Sequence, residues 1–331
     1  MASQKKPHVL LLLEYYIHHE EHPSFRHKCL ERLERSFKVV FPSDLAANPG
    51  LATEIFGAIT PGGEEENRRL LRSLPNLKII SNHGVGIDHI DLKWAKNSNI
   101  RIGNTKPVVA NATADLAMAL LLASARKIIP GVRYTMGNDM PYLSPPEYTG
   151  HCLTDATIGI LGMGNIGLKI AIRAKAFNMT VLYHNRNRRS SEDENLIQAK
   201  YFARLKDMLP ECDYLVIACP ATNETTNMIG WPEFKAMKNT SYLINIGRGK
   251  IVDHDALVKA LTTEEIAAAA LDVTFPEPLP RNHPLLSLPN VIITPHCGTN
   301  TFETRYKMID LVAQNLECAL EGKPMPSEVD L

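Results

Sequence analysis

Three charged or ionisable side chains in the second half of the chain each follow the predicted carboxyl end of a strand. Arg248 lies between two glycines, Glu277 between two prolines, and His296 directly after a proline. An arginine binds a carboxylate through paired N–H groups, a histidine exchanges protons near neutral pH, and a carboxylate beside the histidine favours its protonated form. Together these residue types suit hydride transfer to a 2-keto acid, whose developing oxyanion needs a cation and a proton. Taken singly, each also has a structural explanation: a helix-end ion pair, a turn residue and a strand terminus.

A glycine-rich turn supplies the second chemical signal. Residues 162–167 are G-M-G-N-I-G, preceded by an apolar strand-like run and followed by an amphipathic helical pattern over Leu168–Phe177. The first glycine permits a tight turn, the second lets the backbone approach a pyrophosphate, and the third lets helix and strand pack closely. The helix N-terminus also offers N–H groups and a partial positive charge to phosphates. The predicted phosphate-binding residues are Gly162, Gly164, Asn165, Ile166 and Gly167.

The end of the next strand indicates which dinucleotide would bind. NAD sites usually place Asp or Glu there to bind the ribose 2′-OH, whereas Asn185 follows the predicted strand Thr180–His184 and a basic run comes after it. A carboxylate would repel a 2′-phosphate, and an arginine can bind one with its planar guanidinium. We therefore predict that Asn185, Arg186 and Arg188 select NADP(H). A solvated basic turn is the alternative.

Composition and charge limit the classes of protein. The chain has 331 residues, enough for two domains, and its 36 basic residues balance its 36 acidic ones. This balance argues against partners recruited by charge, such as nucleic acids or membrane surfaces. The apolar run Val9–Leu13 is too short for a signal peptide or a membrane span. Six scattered cysteines without a C-x-x-C pair are typical of a reduced, cytoplasmic protein. The histidine-rich segment Tyr15–His22 has no second ligand cluster, so we expect a solvated loop and no metal site.

Strand-like runs alternate with helical patterns along the whole chain, which predicts parallel sheets with crossover helices. The first third forms an α/β unit without a phosphate loop, and a second unit contains the glycine turn. The final helical pattern, Thr301–Glu321, follows the second sheet and is expected to pack on the first unit. We therefore predict an α/β fold of two Rossmann-like, doubly wound domains with a ligand-binding cleft between them. The predicted domains are residues 1–104 with 300–331, which would bind the substrate, and residues 105–299, which would bind NADP.

These segments closely resemble the D-isomer-specific 2-hydroxyacid dehydrogenase family over nearly the whole chain. The similarity is closest to its glyoxylate/hydroxypyruvate reductase branch, with 2-ketogluconate reductases nearby, and it is clear in residues 271–280, 282–286 and 322–326. The resemblance implies reduction of a 2-keto acid to the D-2-hydroxy acid. It also implies that Arg248 binds and polarises the substrate, that His296 is the general acid/base, and that Glu277 is its partner.

Further positions match family residues that line the substrate or the cofactor. In the segment N-H-G-V-G-I-D at 82–88, the backbone N–H groups of Val85 and Gly86 would hold the substrate carboxylate. An ordinary glycine-rich turn is the alternative there. The resemblance places Asp272 near the nicotinamide. The other implied cofactor-lining residues are Thr113, Pro220, Ile246 and Gly298.

One departure from the family pattern concerns the choice of substrate. A long helix is predicted over Asn111–Lys127. Members of the glyoxylate branch often have a tryptophan between this helix and the glycine turn, and it reaches the substrate of the partner subunit, but residues 133–153 contain none. A longer sugar keto acid of the 2-ketogluconate type is therefore an alternative substrate. The resemblance and the apolar segment Ile128–Leu153 predict a homodimer. A non-catalytic, dinucleotide-sensing scaffold of the corepressor type is an alternative function, although the chain lacks the long disordered tail of such scaffolds.

Overall fold

The computed structural model describes residues 6–13, 23–61, 65–137 and 146–331. The chain forms two compact units, one of Met1–Val109 with Asn300–Leu331 and the other of Ala110–Thr299. We call them the N-terminal unit and the central unit. The N-terminal unit is discontinuous in sequence, because the chain leaves it once and returns to it for the last helix. The segment Tyr15–His22, for which we predicted a solvated loop, lies outside the described residues.

Strands and helices alternate along the described chain. The strands are β1 (His8–Leu11), β2 (Lys38–Val40), β3 (Ile55–Thr60), β4 (Ile79–Asn82), β5 (Arg101–Gly103), β6 (Thr157–Leu161), β7 (Thr180–His184), β8 (Lys200–Phe202), β9 (Tyr214–Ile217), β10 (Tyr242–Asn245), β11 (Ala268–Leu271) and β12 (Val291–Ile293). The helices are α1 (Pro23–Glu34), α2 (Pro42–Ala47), α3 (Glu65–Arg72), α4 (Leu92–Asn97), α5 (Lys106–Ala125), α6 (Ile128–Thr135), α7 (Asn165–Ala176), α8 (Ser191–Ile197), α9 (Leu205–Met208), α10 (Trp231–Ala236), α11 (His254–Thr262) and α12 (Phe302–Leu320).

The N-terminal unit is built on a five-stranded parallel sheet in the order β2-β1-β3-β4-β5. Val9 and Leu11 of β1 pack with side chains of α1 and α12, whereas Leu10 packs in a second cluster with side chains of α2, α3 and α4. Because helices cover both faces, the strands are continuous apolar runs rather than alternating patterns. A Cβ on Gly57 of β3 would lie 2.8 Å from Leu316, so α12 packs closely on the sheet at this glycine.

The central unit is built on a seven-stranded parallel sheet in the order β12-β11-β10-β9-β6-β7-β8. The strand order reverses at β6, because the chain continues outwards through β7 and β8 on one side and then returns to β9 on the other. Doubly wound sheets bind ligands at the carboxyl ends of the strands beside such a reversal. The loops after β6 and β9 therefore mark the expected binding position in this unit.

Helix α5 is long and apolar enough, by length and composition alone, to cross a membrane. However, 61% of its most apolar window is buried inside the protein. Its residues Ala114, Ala117 and Leu121 are fully buried and pack in one cluster with Ile158 and Ile160 of β6. Its apolar composition is thus explained by its position in a protein core.

The prediction of α/β units on parallel sheets is confirmed, and the observed elements differ from the predicted ones mainly at their ends. Helix α5 begins at Lys106 rather than Asn111, and α7 begins directly after Gly164 rather than at Leu168. Strand β8 and the short helix α8 were not predicted, because both are short and the apolar periodicity of α8 is weak. Helix α8 begins at an N-cap, Ser190, whose hydroxyl accepts from the Asp193 N–H at 3.2 Å.

Candidate active site

The glycine turn after β6 is shaped by two close backbone approaches. Gly162 has a φ of +102°, and a Cβ there would lie 2.5 Å from the Cys219 nitrogen in the loop after β9. A Cβ on Gly167 would lie 2.2 Å from the Gly162 carbonyl oxygen, so the first turn of α7 packs directly on this loop. These two positions therefore require glycine for packing.

Gly164, between them, is different, and its surroundings fit a dinucleotide phosphate. A Cβ on Gly164 would meet no atom within 4 Å, and this residue is the N-cap of the 12-residue helix α7 without a side-chain cap. The backbone there is accessible, and the first N–H groups of a helix bind anions with the help of the helix dipole. Asn165 and Ile166 form the first turn of that helix. The predicted phosphate-binding residues are thus brought together around an open helix N-terminus.

The basic loop after β7 is more balanced in charge than its sequence indicates. Arg188 donates from Nε and Nη2 to Glu194, each at 2.8 Å, and Arg189 pairs with Asp193 at 2.7 Å. Arg186 is exposed, and its charge contributes, after hydrogen bonds from Thr222 and the Glu224 backbone, to a lowered pKa of Glu224. Glu194 and Asp193, the partners of Arg188 and Arg189, both lie in the first turn of α8. These two ion pairs were not predicted from the sequence, although the i,i+4 spacing of Arg189 and Asp193 is a recognisable ion-pair signal.

Three neighbouring strands bring the predicted catalytic side chains to one edge of the central sheet. Arg248 follows β10, Glu277 follows β11 and His296 follows β12, and these strands are adjacent in the sheet. The His296 Nδ1 lies 2.6 Å from the Glu277 Oε1, and both side chains are about half exposed. Burial alone would raise the pKa of the Glu277 carboxyl, but the His296 hydrogen bond and charge and the nearby Arg248 charge lower it below its usual value. Glu277 is therefore held as a carboxylate against the imidazole.

Arg248 is positioned by the two glycines beside it. A Cβ on Gly247 would lie 2.7 Å from the Cys219 carbonyl oxygen, and one on Gly249 would lie 2.0 Å from the Thr274 carbonyl carbon. The arginine therefore stands where the loops after β9, β10 and β11 meet. Its Nη1 donates to the Gly247 carbonyl at 2.9 Å.

Asp272 has a structural role that was not predicted from the sequence. It is only 2% exposed, and its carboxylate accepts from the Thr294 hydroxyl at 2.6 Å and from the Cys297 and Gly298 N–H groups at 2.9 Å each. Its carbonyl accepts from the His296 N–H, also at 2.9 Å. His296 itself has a φ of +53°, a conformation that a non-glycine residue adopts at some energetic cost. Asp272 thus holds the loop in which the histidine is presented.

The other predicted cofactor-lining residues lie around the same loops. A Cβ on Gly298 would lie 3.3 Å from Thr113 Cγ2 of α5, so these two residues are neighbours. The Ile246 N–H donates to the Ile217 carbonyl at 3.1 Å, which joins the ends of β10 and β9. The Pro220 carbonyl, in the loop that touches Gly162, accepts from the Thr225 hydroxyl at 2.8 Å.

The predicted substrate loop lies in the N-terminal unit. The Asn82 Nδ2 donates to the carbonyls of Gly84 and Gly86, each at 2.9 Å, and the Asn104 Nδ2 donates to the Val85 carbonyl at 3.3 Å. Because these bonds use the carbonyls, the loop is held without using the N–H groups of Val85 and Gly86. The role of these two asparagines in holding the loop was not predicted from the sequence.

In the part of the chain that the structure describes, no group of three or more His, Cys, Asp or Glu side chains could hold a metal ion. The groups that meet at the carboxyl ends of these strands are a histidine–carboxylate pair and an arginine, and the glycine turn follows β6 of the same sheet. The N–H groups at the start of α7 and the open space around Gly164 fit a bound dinucleotide.

Comparison with known proteins agrees with this geometry. The model of the D-isomer specific 2-hydroxyacid dehydrogenase NAD binding domain matches residues 118–298. A glyoxylate reductase of Pyrococcus horikoshii is 42% identical over 281 residues, which is 84% of this chain and 83% of that protein. The chain belongs to the D-isomer specific 2-hydroxyacid dehydrogenase family.

Further members of this 2-hydroxyacid dehydrogenase family are similar in sequence and in structure. The human glyoxylate reductase/hydroxypyruvate reductase is 41% identical over 256 residues, 77% of this chain and 78% of that protein. The NADPH-dependent glyoxylate/hydroxypyruvate reductase of Sinorhizobium meliloti, solved in complex with NADP and malonate, is 30% identical with a TM-score of 0.84, covering 98% of this chain and 97% of that one. The family assignment therefore extends over both units.

Proposed function

We propose that this protein reduces a small 2-keto acid of the glyoxylate/hydroxypyruvate type to the D-2-hydroxy acid with NADPH. The observation that carries the proposal is the 2.6 Å contact between His296 and Glu277 at the strand edge that also presents Arg248. The names of the similar reductases support the substrate class. In this proposal the central unit binds the dinucleotide, and the N-terminal unit contributes to substrate binding.

His296 is the proposed proton donor. A bound reduced nicotinamide would supply hydride-transfer chemistry to the substrate carbonyl carbon. The Nδ1 of His296 faces Glu277, which fixes the tautomer and leaves Nε2 to hold the proton for the carbonyl oxygen. Glu277 stabilises the protonated ring by its negative charge. The two residues thus act as a general acid and its orienting carboxylate.

Arg248 is the proposed substrate anchor. Its guanidinium offers paired N–H groups to a carboxylate and positive charge to the developing oxyanion. The backbone N–H groups of Val85 and Gly86 are proposed to bind a substrate carboxylate. Their loop is held through its carbonyls, which is consistent with that role.

The proposed preference for NADPH rests on the loop after β7. It has Asn185 where NAD sites usually have an acid, and Arg186 and Arg188 lie close behind it. The similar reductase solved with NADP supports this choice. The helix N-terminus at Gly164 is proposed to bind the pyrophosphate.

The proposed assembly is a homodimer. Helix α6 and the residue after it expose several large apolar side chains: Ile128 at 49%, Ile129 at 39%, Val132 at 48% and Met136 at 82%. Covering such an apolar surface with a second copy would remove it from water. Sedimentation at micromolar concentration should show a species of twice the chain mass. A species of only 36.8 kDa would contradict the dimer.

The proposed location is the cytoplasm, with neither nucleic acid nor membrane as a partner, in keeping with the balanced charge.

Steady-state assays with a panel of 2-keto acids test the function. Glyoxylate, hydroxypyruvate and 2-ketogluconate are each assayed with NADPH and with NADH. We expect the highest kcat/KM with NADPH and one of the two smaller acids. A preference for 2-ketogluconate would instead identify the substrate as a longer sugar keto acid. The absence of turnover by a protein that binds NADPH would instead indicate a dinucleotide-sensing scaffold.

A further inference from the structure

The basic loop Asn185–Arg189 is fixed by its neighbours at both ends. The Tyr201 hydroxyl donates to the Asn185 carbonyl at 3.2 Å, and the Arg189 N–H donates to the Tyr183 hydroxyl at 3.0 Å. Between these points the Asn185 side chain donates to the Asn187 carbonyl at 2.8 Å. The loop backbone therefore has a defined position relative to β7 and β8, which contain the two tyrosines.

The Arg188 side chain is also held, and on two sides. Glu194 accepts from its Nε and Nη2 at 2.8 Å each, and the Arg188 Cζ lies 5.5 Å from the Tyr201 ring centroid. A contact of this kind between a guanidinium and an aromatic face is attractive. The Arg188 side chain is nevertheless 64% exposed, whereas that of Glu194 is 11% exposed. The carboxylate is thus the enclosed member of the pair, and the guanidinium is the accessible one.

Glu194 is itself fixed by a buried hydroxyl. Tyr183 is fully buried, and its hydroxyl donates to the Glu194 Oε1 at 2.5 Å. The hydrogen bonds from Arg188 and Tyr183 lower the pKa of Glu194 to about 2, so that the carboxylate stays ionised at neutral pH. Burial in turn raises the pKa of Tyr183 to about 12, and the tyrosine remains a donor. Arg188 is therefore held by Glu194, which is itself held by the buried Tyr183 in the core of the unit.

We propose that Glu194 is a positioning residue for cofactor selection, which holds Arg188 so that its remaining N–H groups bind the ribose 2′-phosphate. A guanidinium has five N–H groups and Glu194 takes two, which leaves three for a phosphate. An arginine that is already oriented loses less conformational entropy when it binds. The inference rests on the proposed use of NADPH.

Glu194 has two conceivable effects on phosphate binding, repulsion of the phosphate and orientation of Arg188, and they are opposite in sign. If Glu194 acted only through its negative charge, it would repel the phosphate, and its removal would tighten binding. If it orients Arg188, its removal weakens binding. Glu192 provides a control of matched charge, because it is exposed and lies in the same first turn of α8.

The experiment measures the affinities of 2′,5′-ADP and 5′-AMP by isothermal titration calorimetry, which requires no turnover. In the wild type 2′,5′-ADP should bind more tightly. Glu194→Ala should weaken 2′,5′-ADP by about three- to tenfold, the cost of ordering one long side chain, and should leave 5′-AMP unchanged. Arg188→Ala should weaken 2′,5′-ADP at least as much, and the double variant should equal Arg188→Ala alone. Glu192→Ala should not weaken it.

Other results would overturn the inference. Tighter 2′,5′-ADP binding by Glu194→Ala, or a double variant restored to wild-type affinity, would show that Glu194 acts by repulsion. Unchanged binding by Glu194→Ala would show that it has no role in selection. Tyr183→Phe retains the ring and removes only the hydroxyl, so it should weaken 2′,5′-ADP in the same direction even if Glu194→Ala folds poorly; no effect would contradict the proposal. Equal wild-type affinity for the two nucleotides would instead refute the proposed NADPH preference itself.

Discussion

The contact between Glu277 and His296 leads to a prediction about pH. Reduction needs the protonated imidazole, and the carboxylate 2.6 Å away stabilises that form. Glu277 is ionised over the working range because its pKa lies below the usual value. Glu277→Gln keeps the shape and removes the charge. The protonated ring is then favoured less, so activity in reduction should be lost at a lower pH than in the wild type.

The size of this effect follows from the exposure of the pair. A hydrogen bond to a charged group contributes about 1.5–3 kcal/mol, but the two side chains are 50% and 40% exposed, and solvent screening reduces the value to about 1 kcal/mol. Since a factor of ten in rate corresponds to about 1.36 kcal/mol, the variant's kcat/KM in reduction should be about fivefold lower. The maximal rate should also fall, because the ring loses its orienting partner.

The assay is the pH profile of kcat/KM for hydroxypyruvate reduction, measured from acid to alkaline pH with saturating NADPH. The alkaline limb of the Glu277→Gln profile should move to lower pH, and that of Glu192→Gln, a change of an exposed carboxylate on α8, should not move. An alkaline limb that stays in place or moves to higher pH would refute the role of Glu277 in stabilising the protonated histidine.

Outcomes are expected for four further variants. His296→Ala should lower kcat by about 10²–10⁴-fold while the NADPH dissociation constant, measured by fluorescence titration, stays unchanged; a nearly normal kcat would leave the proton donor elsewhere. Arg186→Ala should raise the KM for NADPH about tenfold, the loss of one charged hydrogen bond at an exposed site, with little effect on the KM for NADH. Gly167→Ala should lower the melting temperature, because its Cβ would lie 2.2 Å from the Gly162 oxygen and overpacking costs about 1–3 kcal/mol. Gly164→Ala should instead keep the melting temperature and weaken NADPH binding, and a reversed pattern in these two variants would contradict the assigned roles.

Local sequence patterns determined much of this protein. The spacing of Gly162, Gly164 and Gly167 predicted the tight turn between a strand and a helix, because this spacing is a local pattern of such turns. The helix itself begins directly after Gly164 rather than at Leu168. The strand ends before Arg248 and His296 could be predicted in the same way, since continuous apolar runs followed by glycine or proline indicate buried parallel strands. The family resemblance then supplied roles that spacing alone does not contain.

The tertiary structure decided which of these side chains meet. Glu277 and His296 are 19 residues apart, and they touch because β11 and β12 are neighbours in the sheet. Strand order depends on the packing of whole helices against the sheet and is not encoded in any short pattern. In the same way Asp272 became the acceptor for the loop around His296. Two arginines of the basic run after β7, Arg188 and Arg189, are paired with Glu194 and Asp193 in the first turn of α8. A sequence pattern shows which charges are present, whereas only the folded chain shows which of them are already paired.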